Sequence, residues 1–220
     1  MLAPIALALA LAAAQDVPRD LPKSELPAKA VCIVCSGSGD FHGEEKPTGG
    51  VEYKGKRYYF CASGEGKAFK KDPDAYLPPV LPMPAPPLKA VDLAGKPVTL
   101  ADHAGKVVLV DFWATWCKPC VKSLPTIDRI ASKWKDQGVV VLGVSIDEKP
   151  ALVAPFLKKK PVGYPMLLDD PKNPTWKAYN VRFIPALFLI DRSGNVVAHW
   201  RGEANAADIE AALAKVVAAP

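Results

Sequence analysis

Five cysteines, at positions 32, 35, 61, 117 and 120, are the residues of this chain best suited to do chemistry. Four of them form two Cys-x-x-Cys pairs. That spacing serves a redox-active disulfide, a permanent disulfide, or half of a tetrahedral metal site. An odd count cannot pair completely, which points to one redox pair and a separate thiol cluster. The second pair ends the string Asp111-Phe112-Trp113-Ala114-Thr115-Trp116-Cys117-Lys118-Pro119-Cys120. Before it, Val107 to Phe112 is apolar except for one acid, the pattern of a buried strand. After it, the spacing predicts a helix to about Trp134, with Leu124, Ile127, Ile130 and Ala131 on one face and a kink at Pro125. Cys117 therefore stands where strand gives way to helix, and the N–H groups and dipole there favour a thiolate. Lys118 adds a cation that favours the reduced form, and Pro119 stiffens the turn. Cys117 is the expected exposed nucleophile and Cys120 the buried resolving thiol.

The elements around this motif alternate. Gly138 should end the helix, and Val139 to Ile146 reads as a second apolar strand. Short helices are expected over residues 150–160 and from Thr175 to Tyr179. Ala186 to Ile190 and Val196 to Trp200 should form a hairpin, followed by an Ala-rich helix from Ala206 to Val217. Unbroken apolar strands between helices imply an α/β sheet covered on both faces.

Ahead of this region runs Leu77-Pro78-Pro79-Val80-Leu81-Pro82-Met83-Pro84-Ala85-Pro86-Pro87, part of a total of 23 prolines. Such a run excludes a helix interior or a central strand, and reads as a linker roughly 30 Å long in the polyproline conformation. The expected division is a signal peptide over 1–14, a polar tail over 15–30, a small Cys-containing module over 31–76, the linker over 77–87 and the main domain over 88–220. Met1 to Ala14 is almost wholly apolar, too short to span a bilayer, and ends in small residues that suit cleavage after Ala14. No Lys or Arg precedes it, so an upstream start or an uncleaved anchor stays open. Export to the periplasm or cell envelope follows, without stable membrane insertion of the mature chain. A net charge of +5 with only short runs such as Lys158-Lys159-Lys160 is a solvated surface and argues against nucleic acid.

With the motif, its strand and helix, and Phe183-Ile184-Pro185 before a later strand, residues 85–218 resemble the thioredoxin superfamily, and within it the exported TlpA/ResA-like reductases. The resemblance implies a thioredoxin fold and a thiol–disulfide oxidoreductase that needs no cofactor for its redox reaction. It implies client protein disulfides as substrate and an upstream thiol as electron donor, with cytochrome c or metal-site maturation as the client class. It places Pro185 in a cis bond against the Cys117–Cys120 pair, with the Ile184 backbone, Trp116 and Lys118 meeting the substrate. Asp111 falls where cytosolic thioredoxin has a buried acid, able to take the Cys120 proton; many TlpA-like proteins are neutral there. Ser123 stands where many ResA-type reductases carry Glu. A thiol peroxidase shares the fold, but its Pro-and-Thr context around the nucleophile is missing.

The first pair, Cys32-Ile33-Val34-Cys35, precedes Tyr53-Lys54-Gly55-Lys56-Arg57-Tyr58-Tyr59-Phe60-Cys61 and Asp72-Pro73-Asp74-Ala75-Tyr76. This stretch resembles the YHS/TRASH-like metal-binding modules, with Glu65 where another Cys is usual. Cys32, Cys35 and Cys61 with Glu65 make a ligand set for Zn²⁺, whereas three thiolates alone suit Cu(I). His42 is a further candidate ligand. A Cys32–Cys35 disulfide with a lone Cys61 is the alternative. A metal-binding or metallochaperone protein with an auxiliary thioredoxin-fold domain is accordingly the second functional reading.

Overall fold

The computed structural model describes residues 17–38 and 43–219, which divide into one unit up to Leu77 and another from Pro78. The expected cleavage point and His42 lie outside the described residues.

In the first unit, β1 (Arg19–Asp20) pairs antiparallel with β2 (Gly49–Tyr53), which forms a hairpin with β3 (Lys56–Phe60). An earlier helix, α1 (Ile33–Ser38), a later one, α2 (Glu65–Lys71), and a short antiparallel pairing of Ala30–Val31 with Glu44–Glu45 also belong to it. The hairpin turn is Lys54-Gly55, both at positive φ (50° and 70°), the geometry a two-residue turn needs to follow the strand twist. Val51, Tyr53, Phe60 and Phe69 form a small core, with Phe69 ringed by Tyr53, Tyr58, Phe60 and Tyr76. The polar tail expected up to residue 30 is partly structured, since Arg19 and Asp20 extend this sheet.

The second unit is built on an eight-stranded mixed sheet. In chain order its elements are β4 (Met83–Pro84), β5 (Lys89–Asp92), β6 (Pro97–Thr99), β7 (Val107–Trp113), α3 (Lys118–Trp134), β8 (Val139–Ser145), α4 (Val153–Lys159), β9 (Met166–Asp169), α5 (Thr175–Ala178), β10 (Ala186–Ile190), β11 (Asn195–Arg201) and α6 (Ala206–Ala218). The strand order is β4-β11-β10-β7-β8-β9-β5-β6, with β7, β8 and β9 parallel. All seven residues of β7 are buried. Val107, Leu109 and Trp113 pack with Leu124, Ile127 and Ile130 of α3 and Ile209 and Leu213 of α6. Val108, Val110 and Phe112 pack on the opposite face with Tyr179, Val181 and Phe188. Each such fully buried side chain contributes roughly 1.5–3 kcal/mol, so the central strands are fixed firmly on both sides. Asp111 is the one acid in this row, and by strand alternation it faces α3.

One expectation needs correction. The proline-rich segment is not a free spacer along its whole length: Met83 and Pro84 pair with Val196 and Asn195, and Leu81, Met83 and Ala85 pack on the core. Proline is tolerated there because the strand lies at the sheet edge, where a missing N–H costs no ladder bond. The helix after the motif ends at Trp134 as the spacing predicts, and a 3₁₀ turn over Lys135–Gln137 carries the chain to Gly138 at φ 80°. The strand β9 was not expected, being only four residues long.

Candidate functional site

Cys117 and Cys120 are joined in a disulfide at the start of α3. Cys117 is the N-cap, and its Sγ accepts the Cys120 N–H at 3.2 Å. A 17-residue helix thus directs its N-terminal N–H groups at this sulfur, an environment that stabilises a thiolate once the disulfide opens. Cys117 Sγ lies 3.8 Å from the carbonyl oxygen of Ile184, and the Ile184–Pro185 bond is cis. The expected grouping of Cys117, Cys120, Ile184 and Pro185 is therefore present. Trp116 is 63 % exposed and Lys118 is also exposed, so both stand on the surface beside the disulfide. Cys117 itself is only 5 % exposed and Cys120 1 %, which corrects the expectation of an openly exposed nucleophile. Its sulfur is tucked against the Ile184 backbone, so a client must meet it along that edge.

The loop that carries the motif is anchored by Asp147, just past the end of β8. Asp147 is buried and accepts the Thr115 N–H at 2.9 Å, the Thr115 hydroxyl at 2.6 Å and the Ser145 hydroxyl at 2.7 Å. Ile146 N–H reaches the Trp113 carbonyl at 2.9 Å. These bonds fix the backbone immediately before Cys117.

Asp111 is 1 % exposed. Burial pushes its carboxyl up to about 7, opposed by a hydrogen bond from the Tyr164 hydroxyl to Oδ2 at 3.2 Å. It pairs across the sheet with Gly143 and Leu187. Gly143 is needed there: a Cβ would run into Met166 Sδ and come within 3.0 Å of Tyr164 Cε2. On its other side Asp111 lines a cavity of about 120 Å³ with Ser123, Thr126, Pro185 and the exposed ion pair Lys122–Glu203. The acid therefore has a polar route outward although its own surface is covered. Tyr164 and Gly143 carried no signal in the sequence, since neither has a fixed spacing from the motif. Replacing Tyr164 by Phe should raise the Asp111 pKa by about one unit, because a hydrogen bond to a charged acceptor is worth roughly 1.5–3 kcal/mol and favours the carboxylate. Carbonyl-region infrared titration of the variant checks this, and an unmoved titration removes the role.

In the first unit, Cys32, Cys35, Cys61 and Glu65 converge, with their ligand atoms all within 4.8 Å of one another. Cys35 Sγ lies 3.3 Å from both Cys61 Sγ and Glu65 Oε1. The four residues singled out from sequence are thus brought together, and none of the three cysteines is in a disulfide. Burial raises the Cys35 thiol well above its usual range, aided by its Cys61, Glu65 and Cys32 neighbours.

Comparison with known proteins bears on the second unit. A sequence model described as the AhpC/TSA family matches residues 82–199. The thiol–disulfide oxidoreductase ResA of Bacillus thuringiensis subsp. konkukian is 36 % identical over 132 residues, covering 60 % of this chain and 76 % of that protein. The chain belongs to the AhpC/TSA family, as a ResA-type thiol–disulfide oxidoreductase of the thioredoxin superfamily. Among ResA-type relatives, that of Bacillus subtilis is 37 % identical over 113 residues, covering 51 % of this chain and 63 % of its own length. A Chlorobium tepidum structure assigned as the thiol:disulfide interchange protein DsbE superposes with a TM-score of 0.58 at 33 % identity, covering 62 % of this chain and 96 % of that one. The thioredoxin domain of a Bacteroides vulgatus thiol–disulfide oxidoreductase gives 0.58 at 27 % identity, covering 64 % and 99 %. The thioredoxin fold and the oxidoreductase class of this ResA-type chain are thereby shown. Residues 17–77, with the thiol cluster, lie outside the matched family span.

Proposed function

We propose that this oxidoreductase reduces disulfides of client proteins, with Cys117 as attacking thiolate and Cys120 as resolving thiol. The observation that carries this is the Cys117 sulfur at the head of α3, beside the Ile184 carbonyl. In the reduced chain the Cys117 thiolate displaces one sulfur of a client disulfide, which leaves as a thiolate and takes a proton. A mixed disulfide between Cys117 and the client results. Cys120, losing its proton to Asp111, attacks Cys117 Sγ and expels the second client thiolate, which is protonated in turn as Asp111 gives that proton up. Two electrons and two protons pass to the client, and the chain is left as the Cys117–Cys120 disulfide. An upstream thiol donor then restores it. Clients in cytochrome c or metal-site maturation, and work outside the cytoplasm in the periplasm or cell envelope, fit the family resemblance and the apolar first fourteen residues.

The test is stoichiometric transfer. Chain reduced and freed of reductant should deliver two electrons to a disulfide-bonded protein substrate, with appearance of two client thiols per chain. A reduced chain that leaves the client oxidised overturns the reading.

A second reading, metal binding by the first unit with Zn²⁺ or Cu(I), is favoured by the convergence of Cys32, Cys35, Cys61 and Glu65. Metal lost in Cys32→Ser and kept in Cys117→Ser would make this a separate metal site. No described helix is long and apolar enough to cross a membrane.

A further inference from the structure

We propose that Cys32, Cys35, Cys61 and Glu65 enclose a structural Zn²⁺ that staples the fold of the first unit, with Glu65 Oε1 as the fourth ligand. This rests on the metal-site reading above and gives that site its ion, geometry and purpose. Zn–S bonds of about 2.3 Å and a Zn–O bond of about 2.0 Å put tetrahedral ligand atoms roughly 3.4–3.8 Å apart. The observed contacts run from 3.3 Å between Cys35 Sγ and Glu65 Oε1 to 3.7 Å between Cys61 Sγ and Glu65 Oε1; Cys32 Sγ lies 3.3 Å from the other oxygen, Oε2, and the three sulfurs and one carboxylate oxygen are all within 4.8 Å of one another. Small shifts close this set around one ion.

Glu65 is held for the task by backbone. Its Oε2 accepts the Cys61 N–H at 3.0 Å and the Ala62 N–H at 2.8 Å, and lies 3.3 Å from Cys32 Sγ and 3.5 Å from Cys61 Sγ. Two amide donors on one oxygen fix the carboxylate plane and turn Oε1 toward Cys35. Such outer-shell bonds orient metal ligands and are costly to lose. A carboxylate oxygen with three thiolates is a donor set for borderline Zn²⁺, whereas Cu(I) is served by soft sulfur alone. With four protein ligands the site is closed, which marks it as structural and leaves no open position for substrate.

The fold around it needs such a staple. Val51, Tyr53, Phe60 and Phe69 make up its buried core, and units below about 70–80 residues seldom hold on a core alone. The ligands come from separate elements: Cys32 just before α1, Cys35 within it, Cys61 just past β3, and Glu65 at the start of α2. One ion ties both helices to the hairpin. Zn²⁺ has no redox chemistry, so electron transfer by Cys117 and Cys120 proceeds without it.

The experiment uses the full reduced chain. One Zn²⁺ per chain is expected, and a strong chelator should lower the unfolding midpoint of the first unit while dithiol transfer by Cys117 and Cys120 is unchanged. Co²⁺ in its place should show tetrahedral bands with the charge-transfer intensity of three thiolates, reduced to two in Cys61→Ser. Glu65→Gln keeps an oxygen for the Cys61 and Ala62 amides, so the turn before α2 stays held, and it should weaken Zn²⁺ binding tenfold or more. Unchanged affinity in Glu65→Gln would leave Glu65 only holding the Cys61–Ala62 turn and overturn its role as ligand. Stoichiometric Zn²⁺ whose removal leaves unfolding unchanged would overturn the staple. Absence of stoichiometric Zn²⁺ from the wild-type chain would overturn the metal reading beneath both.

Discussion

Cys120→Ser chain, reduced and mixed with an oxidised client, should accumulate as a covalent adduct through Cys117, while Cys117→Ser forms no adduct and transfers electrons ~10³-fold more slowly. The asymmetry follows from the geometry of α3. Cys117 is the residue whose sulfur accepts the Cys120 N–H at 3.2 Å and sits at the positive end of the helix. That environment stabilises its thiolate and also makes it a better leaving group. Cys120 is one turn inside the helix and 1 % exposed, so a client disulfide cannot reach it directly. Its sulfur can reach only the neighbouring one. Serine at 120 therefore removes the resolving step and leaves attack intact. Mass analysis of the adduct, before and after reduction, checks both the linkage and the residue that forms it. An adduct through Cys120 in Cys117→Ser would reverse the assigned roles.

Asp111→Asn should slow resolution by ~10²-fold and stabilise the fold at pH 8, and the two effects have one cause. The carboxyl stands at about 7 in the folded chain because burial disfavours its charge. An unfolded Asp titrates near about 3.9. Between those values the folded state holds a proton that the unfolded state has released, so stability falls as pH rises. The contribution is complete below about pH 4 and gone above about pH 7, a loss on the order of 4 kcal/mol. Asparagine carries no charge and still accepts the Tyr164 hydrogen bond, so the variant should be insensitive over that window. Denaturant unfolding of both proteins at pH 4 and pH 8 checks it: similar stability at pH 4, and the variant more stable at pH 8. The same carboxyl, at about 7, is matched to accept a thiol proton near neutral pH, and its loss should flatten the pH dependence of mixed-disulfide release.

The redox motif was legible because strand, turn and helix are all local. Val107–Trp113 and Lys118–Trp134 follow from periodicity, and the Cys spacing then places the sulfurs. Each half of the thiol cluster was legible for a similar reason, since Glu65 lies four residues after Cys61 and Cys35 three after Cys32; the module resemblance joined the halves. What could not be read is the set of contacts made across the sheet. Tyr164 reaches Asp111 only because β8 offers Gly143 beside it. Asp147 looks in sequence like a strand terminator, and only the parallel pairing of β7 with β8 brings it under Thr115. The burial of Cys117 depends on Ile184, far along the chain. The edge strand at Met83–Pro84 was hidden for a different reason: polyproline and β backbones occupy neighbouring φ/ψ regions, so prolines alone cannot separate a spacer from an edge strand.

The central claim is that Cys117 and Cys120 are a working redox couple and not a permanent staple. It is tested most directly by equilibrating the chain in graded thiol/disulfide buffers and following fluorescence of Trp113 and Trp116, one buried and one exposed beside the pair. A reversible two-electron transition, absent in Cys117→Ser, is the predicted result, and a midpoint near or below about −250 mV would assign the chain as a reductant. No transition at all, with Cys117 inert to alkylation after treatment with strong reductant, would contradict the account.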